Sequence, residues 1–164
     1  MKAITSNQRI QVPAPSLWAA ITADHHLEAC HPYIERHTQN ERTNGISDTI
    51  TYLNGVTFTR ESTAWVKGVG YDLKVGKARG RKNEVSWRIV AVDESSCQLS
   101  ISVIPRAVEK YPKVLRRLAL ALFVRRQVRL YLNAVTGGIK MWMETGQPID
   151  QLSFRQHPWF CPSS

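Results

Sequence analysis

The sequence predicts an α+β domain in which a curved antiparallel sheet wraps around a long C-terminal helix, with two short helices after the first strand. Three observations support this. Residues 47–104 hold five runs of strand-like sequence, a short helix signal led by Pro13 precedes them, and a long apolar and basic helical stretch follows them up to Gly146. This order of elements is typical of a sheet that closes around a helix and leaves a cavity between them. The pattern predicts a cavity and does not identify its ligand.

The first strand is predicted over residues 3–12, where apolar and polar residues alternate. Pro13 ends this strand. Pro15 suits the first turn of a helix, where the missing N–H of proline costs nothing. The apolar face of that helix is formed by Leu17, Trp18 and Ile21.

A second short helix is expected directly afterwards, with Asp24 as its N-cap. Pro32 should terminate it at His31, because the residue before a proline is pushed out of the helical region.

Six further strands are predicted at residues 33–38, 49–53, 56–66, 69–77, 84–92 and 98–104. The segments between them contain turn sequences such as Asn44-Gly45, Asn54-Gly55 and Lys67-Gly68, so the strands should form an antiparallel meander. Alternation places a set of apolar residues on one face, which should be the core or the cavity wall. These are Tyr71, Leu73, Val75, Val85, Trp87, Ile89, Ala91, Leu99, Ile101 and Val103.

The C-terminal helical region shows two apolar faces, so a break is expected near Phe123. The first face consists of Leu115, Leu118, Ala119 and Leu122. The second consists of Val124, Val128, Tyr131, Val135, Ile139 and Trp142, and it should be the helix that the sheet grips. Gly137-Gly138 would allow close backbone approach, and Gly146 followed by Pro148 should close the helix.

Length and composition fit one globular domain. The chain has 164 residues and is 43% hydrophobic, and its longest apolar run, 118–124, is far shorter than a membrane span. The N-terminus lacks the apolar region of a secretory signal, so we expect a cytoplasmic protein. Cys30, Cys97 and Cys161 should be free thiols. Residues 1–146 are predicted to form the ligand-binding domain, and 147–164 a tail whose segment 157–160 either docks on the body or contacts a partner.

The positive charge is concentrated in the C-terminal helical region. Residues 106–140 hold nine basic residues against one acidic residue, which accounts for nearly all of the formal net charge of +9. Such a surface could make weak contact with an anionic partner or membrane, or could be a solvated helix face. The residues concerned are Arg116, Arg117, Arg125, Arg126 and Arg129. A specific nucleic-acid site is not expected, because interleaved exposed aromatic residues are missing from this region.

Several short motifs resemble those of a known superfamily. They are Cys30-His31-Pro32, Tyr52-Leu53-Asn54-Gly55, Trp65, Gly70-Tyr71-Asp72, Gly80-Arg81-Lys82, Val85-Ser86-Trp87-Arg88-Ile89 and His157-Pro158-Trp159-Phe160. Together with the order of elements, they are similar to a bacterial subgroup of the SRPBCC superfamily. That superfamily includes START lipid-transfer domains, the birch-pollen allergen group and polyketide cyclase/dehydratase-like proteins. The resemblance covers nearly the whole chain and implies a helix-grip fold with a hydrophobic ligand pocket. The superfamily has no universal catalytic motif, so no site residue is carried over.

Candidate chemistry centres on His31. It lies where the short helices meet the sheet, and histidine titrates near neutrality, so it is a candidate general acid or base. His26 and Cys30 have a spacing that metal ligands can use, but no third ligand is fixed, and a helix terminus with satisfied imidazoles explains them better. No metal and no cofactor are expected. Nucleophile elbows and phosphate-binding glycine loops are absent from the sequence.

Arg60 shares a strand face with the apolar Val56 and Phe58, so its guanidinium is predicted to point inward. A desolvated charge requires a partner. That partner is either a protein carboxylate, with Glu61 or Asp72 as candidates, or an acidic or carbonyl group of a ligand.

The function predicted from these observations is binding of a small hydrophobic molecule, lipid-, polyketide- or aromatic-like, in a cavity between sheet and helix. The predicted ligand-binding residues are Tyr52, Phe58, Arg60, Tyr71, Trp87, Ile89, Tyr131 and Val135. One alternative is a cyclase or dehydratase that uses the same pocket, with His31 or a phenol transferring protons. The other is a basic surface that docks on membrane or nucleic acid. A homodimer is left open.

Overall fold

The structure is a computed structural model that describes residues 2–40, 46–106 and 123–162. Its seven strands are β1 (Ile4–Ile10), β2 (Ile34–Gln39), β3 (Ser47–Tyr52), β4 (Thr57–Val66), β5 (Gly70–Gly76), β6 (Asn83–Ala91) and β7 (Cys97–Ile104). The α-helices are α1 (Ala14–Ile21), α2 (His26–Cys30) and α3 (Arg125–Thr145), and a 3₁₀ turn spans Gln151–Ser153. Each predicted strand is present, so the predicted α+β helix-grip fold is confirmed.

The strands form one antiparallel sheet in the order β1-β7-β6-β5-β4-β3-β2. Consecutive strands pair as a meander from β2 to β7, and β1 joins the far edge of β7. Helix α3 packs against β1 and β7 and also contacts α2. Helix α2 therefore lies between β2 and α3, whereas α1 packs on β6, β7 and α2.

Both short helices form, and one of their predicted ends differs. Pro15 lies in the first turn of α1, and α2 ends at His31, whose backbone is extended before Pro32. The predicted N-cap of α2 is wrong, because the capping position belongs to His25, in the left-handed conformation and without a side-chain cap.

The predicted inner face of the sheet is buried over most of its length. Tyr71, Leu73, Trp87, Leu99 and Ile101 belong to the core. Ala91 is the exception and is exposed, because it is the last residue of β6.

The predicted apolar stripe of α3 faces the core through Val128, Val135 and Ile139. Gly138 makes the expected close approach: a Cβ there would lie 2.3 Å from the Cys30 carbonyl oxygen. Gly146 ends the helix in the left-handed conformation.

Some predictions lie outside the described residues, namely the turn Asn44-Gly45 and the side chains of Leu115, Arg116, Arg117, Leu118, Ala119 and Leu122. In the described ranges, no helix is long and apolar enough to cross a membrane.

The C-terminal segment returns to the body of the domain. The Ile149 N–H donates to the Ala29 carbonyl, and the Asn54 side chain donates to the Trp159 carbonyl at 2.9 Å. The Phe160 ring stacks on Tyr52 with centroids 4.1 Å apart. This segment thus contributes side chains to the interior of the domain.

Candidate functional site

A hydrogen-bonded chain of one histidine and two tyrosines lies where α2, β3 and α3 meet. The His31 Nε2 atom is 2.9 Å from the Tyr131 hydroxyl, which is 3.1 Å from the Tyr52 hydroxyl. The Tyr33 backbone N–H donates to His31 Nδ1 at 3.1 Å. In a neutral imidazole, Nδ1 is then the acceptor and Nε2 carries the hydrogen. His31 therefore donates to Tyr131.

This direction leaves one phenol hydrogen of the pair without an acceptor. The two tyrosines carry two hydroxyl hydrogens, and only one of them can lie between the two oxygens. Because His31 is a donor, it cannot accept the other. No other acceptor for either hydroxyl is found among the described residues. A buried donor without a partner is costly, and a carbonyl or hydroxyl oxygen of a bound molecule would satisfy it.

Burial and nearby charge favour a neutral His31 and protonated hydroxyls on Tyr52 and Tyr131. Burial, with a smaller contribution from the positive charge of Arg60, lowers the pKa of His31 to about 3. Burial also raises the pKa of Tyr131 to about 12 and that of Tyr52 well above its ordinary value. His31 is thus neutral at physiological pH, and the near-neutral titration that made it a candidate acid or base is lost in the folded chain. Its catalytic role stays a prediction.

Aromatic rings surround the hydrogen-bonded residues His31, Tyr131 and Tyr52 on several sides. Tyr33 stacks on Tyr131 with centroids 5.9 Å apart, and Phe58 meets the Tyr52 ring edge-on at 5.3 Å. Phe160 covers the other face of this region and stacks on His157. The rings give the hydrogen-bonded side chains an apolar environment.

Arg60 points inward as predicted and is 4% exposed, but its expected partners are wrong. Its Nε and one Nη atom each donate to Asp48 at 2.7 Å in a bidentate pair. Asp48 lies directly opposite Arg60 on β3, whereas Glu61 pairs with Lys82 and Asp72 with Arg88. The ion-pair interpretation of Arg60 therefore has the support of the structure.

The same carboxylate binds His37, whose Nε2 is 2.9 Å from Asp48 Oδ2. Burial opposes the charge of Asp48, but hydrogen bonds from Arg60 and His37 hold the pKa of this carboxyl well below its usual range. Asp48 and His37 were missed as site residues. The alternation of Asp48 with Ile50 and Tyr52 is the signal that could have revealed Asp48. The bulge between Ile34 and Arg36 shifts the face of His37, so alternation does not predict its burial.

Two imidazole nitrogens beside this pair have no hydrogen-bond partner among the described residues. They are His26 Nε2 and His37 Nδ1, both buried. His26 Nδ1 donates to the Ala23 carbonyl at 2.7 Å, as expected for a helix terminus, and burial lowers the pKa of His26 to about 3. Burial also raises the pKa of Cys30 to about 12. Within the described ranges, no group of three metal-ligand side chains is close enough to hold an ion.

The other predicted ligand-binding residues lie in the core, on β5, β6 and α3. Tyr71 stacks between Trp65 and Trp87, with centroids 5.3 and 5.5 Å away. Ile89 and Val135 are also buried. Their contact with a ligand stays a prediction.

A pocket that the sequence did not reveal lies between α3 and the C-terminal segment. It encloses about 500 Å³ and is lined by residues that include Tyr33, Arg126, Gln127, Leu130, Arg155 and His157. None of the predicted ligand-binding residues lines it. A smaller pocket of 240 Å³ is bordered by Arg125, Arg126, Arg129, Leu130 and Asn133.

No family model matches the chain. No curated protein matches it either. Solved structures share its fold at low sequence identity. The chain matches DynU16, a protein of the dynemicin biosynthetic locus, with a TM-score of 0.66 and 15% identity over 90% of this chain and 49% of that one. It thus spans about half the length of DynU16.

Two further structures match over nearly all of their own length. The Zhui aromatase/cyclase from Streptomyces sp. R1128 has a TM-score of 0.62 and 16% identity over 90% of this chain and 99% of its own. A START superfamily protein from Mycobacterium smegmatis has a TM-score of 0.53 and 11% identity over 80% and 96%. The chain therefore has the START-like, polyketide cyclase-like fold that its sequence motifs indicate.

Proposed function

We propose that this protein binds a small, largely apolar molecule between the sheet and α3, and that the Tyr52–Tyr131 pair orients it. The observation that carries the proposal is the phenol hydrogen left without an acceptor. The aromatic rings around the pair supply apolar contact area, and the hydroxyl supplies one directional hydrogen bond. The preferred ligand is thus an aromatic or polyketide-like compound with a carbonyl or hydroxyl oxygen.

Arg60 supports a narrower version of this proposal. Because Asp48 already neutralises its charge with two hydrogen bonds, a ligand carboxylate gains little there and would compete with a bidentate partner. The ligand group at this site should be uncharged.

Native mass spectrometry of protein purified from its own cells tests the proposal. Wild-type chain should retain a small molecule, and Tyr52→Phe should weaken its retention about 2- to 10-fold, the range for one neutral hydrogen bond. Tyr33→Phe is the matched control. The Tyr33 hydroxyl donates to the Arg155 carbonyl and takes no part in the hydrogen bonds among His31, Tyr131 and Tyr52. A wild-type chain that carries no molecule, or equal retention by Tyr52→Phe and wild type, contradicts the proposal.

A cyclase or dehydratase activity is a second candidate, and the same hydroxyl pair favours it. A donor aimed at a ligand carbonyl stabilises negative charge that develops on that oxygen, while the bond from His31 holds Tyr131 in place. Incubation of the retained molecule with fresh protein separates the two functions. A dehydration lowers the mass of the molecule by one water, and a cyclisation without water loss changes its chromatographic retention time at constant mass. Simple binding changes neither.

Docking on anionic surfaces is a third candidate, supported by the exposed grouping of Arg125, Arg126 and Arg129 on α3. Flotation with vesicles that contain or lack anionic lipid tests it. Binding that needs anionic lipid and falls with salt supports this role.

A further inference from the structure

The pocket between α3 and the C-terminal segment has the size and construction of a second ligand site. Its volume of about 500 Å³ is typical of small-molecule sites. The Tyr33 hydroxyl donates to the Arg155 carbonyl, and the His157 ring bonds to the Gln127 carbonyl at 3.1 Å, so both of its walls are tied together. The site is part of the folded domain.

The floor of the pocket is uncharged and largely apolar. His157 Nδ1 accepts from the Trp159 N–H, so Nε2 carries the hydrogen and donates to the Gln127 carbonyl. Both ring nitrogens are thus used, and burial lowers the pKa of His157. The Tyr33 ring lies against it with centroids 5.5 Å apart, and Leu130 is 39% exposed beside them. These surfaces favour an aromatic or aliphatic body.

Each wall of the pocket contributes an arginine to the lining. Arg126 comes from α3 and Arg155 from the C-terminal segment, and both are exposed. Neither forms an ion pair with another described residue. Two exposed arginines in the lining of one pocket favour a carboxylate, which a guanidinium binds through paired hydrogen bonds.

Gln127 adds a second polar requirement. This residue lines the pocket and is 7% exposed, and its Oε1 atom is buried without a hydrogen-bond partner among the described residues. An acceptor of this kind is satisfied by a hydroxyl or N–H group of a ligand.

We infer that this pocket binds an amphipathic organic acid, with its carboxylate at Arg126 and Arg155, its apolar body on Tyr33 and His157, and a hydroxyl on Gln127. The site is separate from the Tyr52–Tyr131 pair and does not depend on the function proposed above. Its ligand is anionic, whereas the interior site favours an uncharged group.

Three related probes test the inference by calorimetric titration of the full chain. The probes are p-coumarate, cinnamate, which lacks the hydroxyl, and methyl p-coumarate, which lacks the charge. Wild type should bind p-coumarate most tightly. Arg126→Ala and Arg155→Ala should each weaken it about tenfold or more, the loss expected for a charge-assisted hydrogen bond. Gln127→Leu should reduce p-coumarate affinity to that of cinnamate.

Arg129→Ala is the matched control, because it removes an exposed arginine from the same helix without touching the pocket. It should leave the p-coumarate affinity within about twofold of wild type, as should Tyr52→Phe. Equal loss in Arg129→Ala and Arg126→Ala would reduce the binding to general charge attraction and overturn the inference. The same applies if methyl p-coumarate binds as well as the acid, or if no probe binds.

Discussion

Arg60 illustrates how much one residue depends on its exact cross-strand neighbour. The guanidinium and the Asp48 carboxylate are both more than nine-tenths buried, and His37 adds a third charged or polar group to the same carboxylate. Attraction between buried charges offsets their desolvation only while the partner is present. The pair is therefore weak evidence for net stability, but its disruption is costly.

Replacement of Arg60 by methionine should lower the free energy of unfolding by about 3 to 5 kcal/mol, because Asp48 is left buried with only His37 to satisfy it. Urea denaturation measures this change. Lys82→Met is the control: it breaks the solvent-exposed pair with Glu61 and should cost no more than about 1 kcal/mol. Equal stability of Arg60→Met and wild type would contradict the buried pair and leave Arg60 available for ligands.

The identity of this partner was not predictable from alternation alone. A two-residue turn at Asn54-Gly55 would place Arg60 opposite Thr49. In the structure, the Tyr52 N–H bonds the Val56 carbonyl around a three-residue loop with Gly55 in the left-handed conformation, so Arg60 faces Asp48. One residue of loop length decides whether the buried arginine meets a carboxylate or a threonine.

At the scale of elements, helix α3 shows which parts of the fold the sequence predicts well. Its apolar periodicity predicts the buried stripe, because helical spacing alone places those residues on one face. The role of its glycines depends on what packs against them. Gly138 lies against α2, whereas a Cβ on Gly137 would meet no atom of the described residues within 4 Å. The sequence predicts the same role for both glycines, whereas in the structure only Gly138 makes the close approach.

This difference makes Gly138→Ala and Gly137→Ala a matched pair of variants. The added methyl of Gly138→Ala overlaps the Cys30 carbonyl and should destabilise the fold by about 1 to 3 kcal/mol. Gly137→Ala adds the same methyl to open space and should stabilise the helix by about 0.5 to 1 kcal/mol. Thermal and urea melts measure both. Similar effects of the two substitutions would show that α3 does not approach α2 as closely as described.

The C-terminal segment was the element whose position the sequence left most open. Its motif at 157–160 predicted docking on the body or contact with a partner, and no local pattern distinguishes these. In the structure, Phe160 stacks on Tyr52 and His157 reaches α3. The segment thereby shapes both proposed sites, which is why the pocket beside α3 could not be anticipated from helix and strand patterns.

At the scale of the whole molecule, the described interior contains the neutral histidines His26 and His31 and the buried ion pair of Arg60 with Asp48. His26 and His31 are both buried beside Arg60, and desolvation together with that positive charge opposes their protonation. As the pH falls, these two histidines should therefore lower the stability of the domain at a higher pH than Asp48 does, because the pKa of the Asp48 carboxyl is held low.

The folded-state pKa of His26 and of His31 is about 3, against 6.5 for the free side chain, so the unfolded chain binds more protons below pH 6.5. Stability should then fall as the pH drops from about 6.5 toward 3, by up to about 1.4 kcal/mol per pH unit for each histidine. Urea denaturation at several pH values measures this slope. His26→Asn, whose amide can still donate to the Ala23 carbonyl, should remove about half of it. A flat profile between pH 6.5 and 4.5, or an unchanged slope in His26→Asn, would mean that these imidazoles take up protons without unfolding the domain, and that the interior is more open to water than their burial indicates.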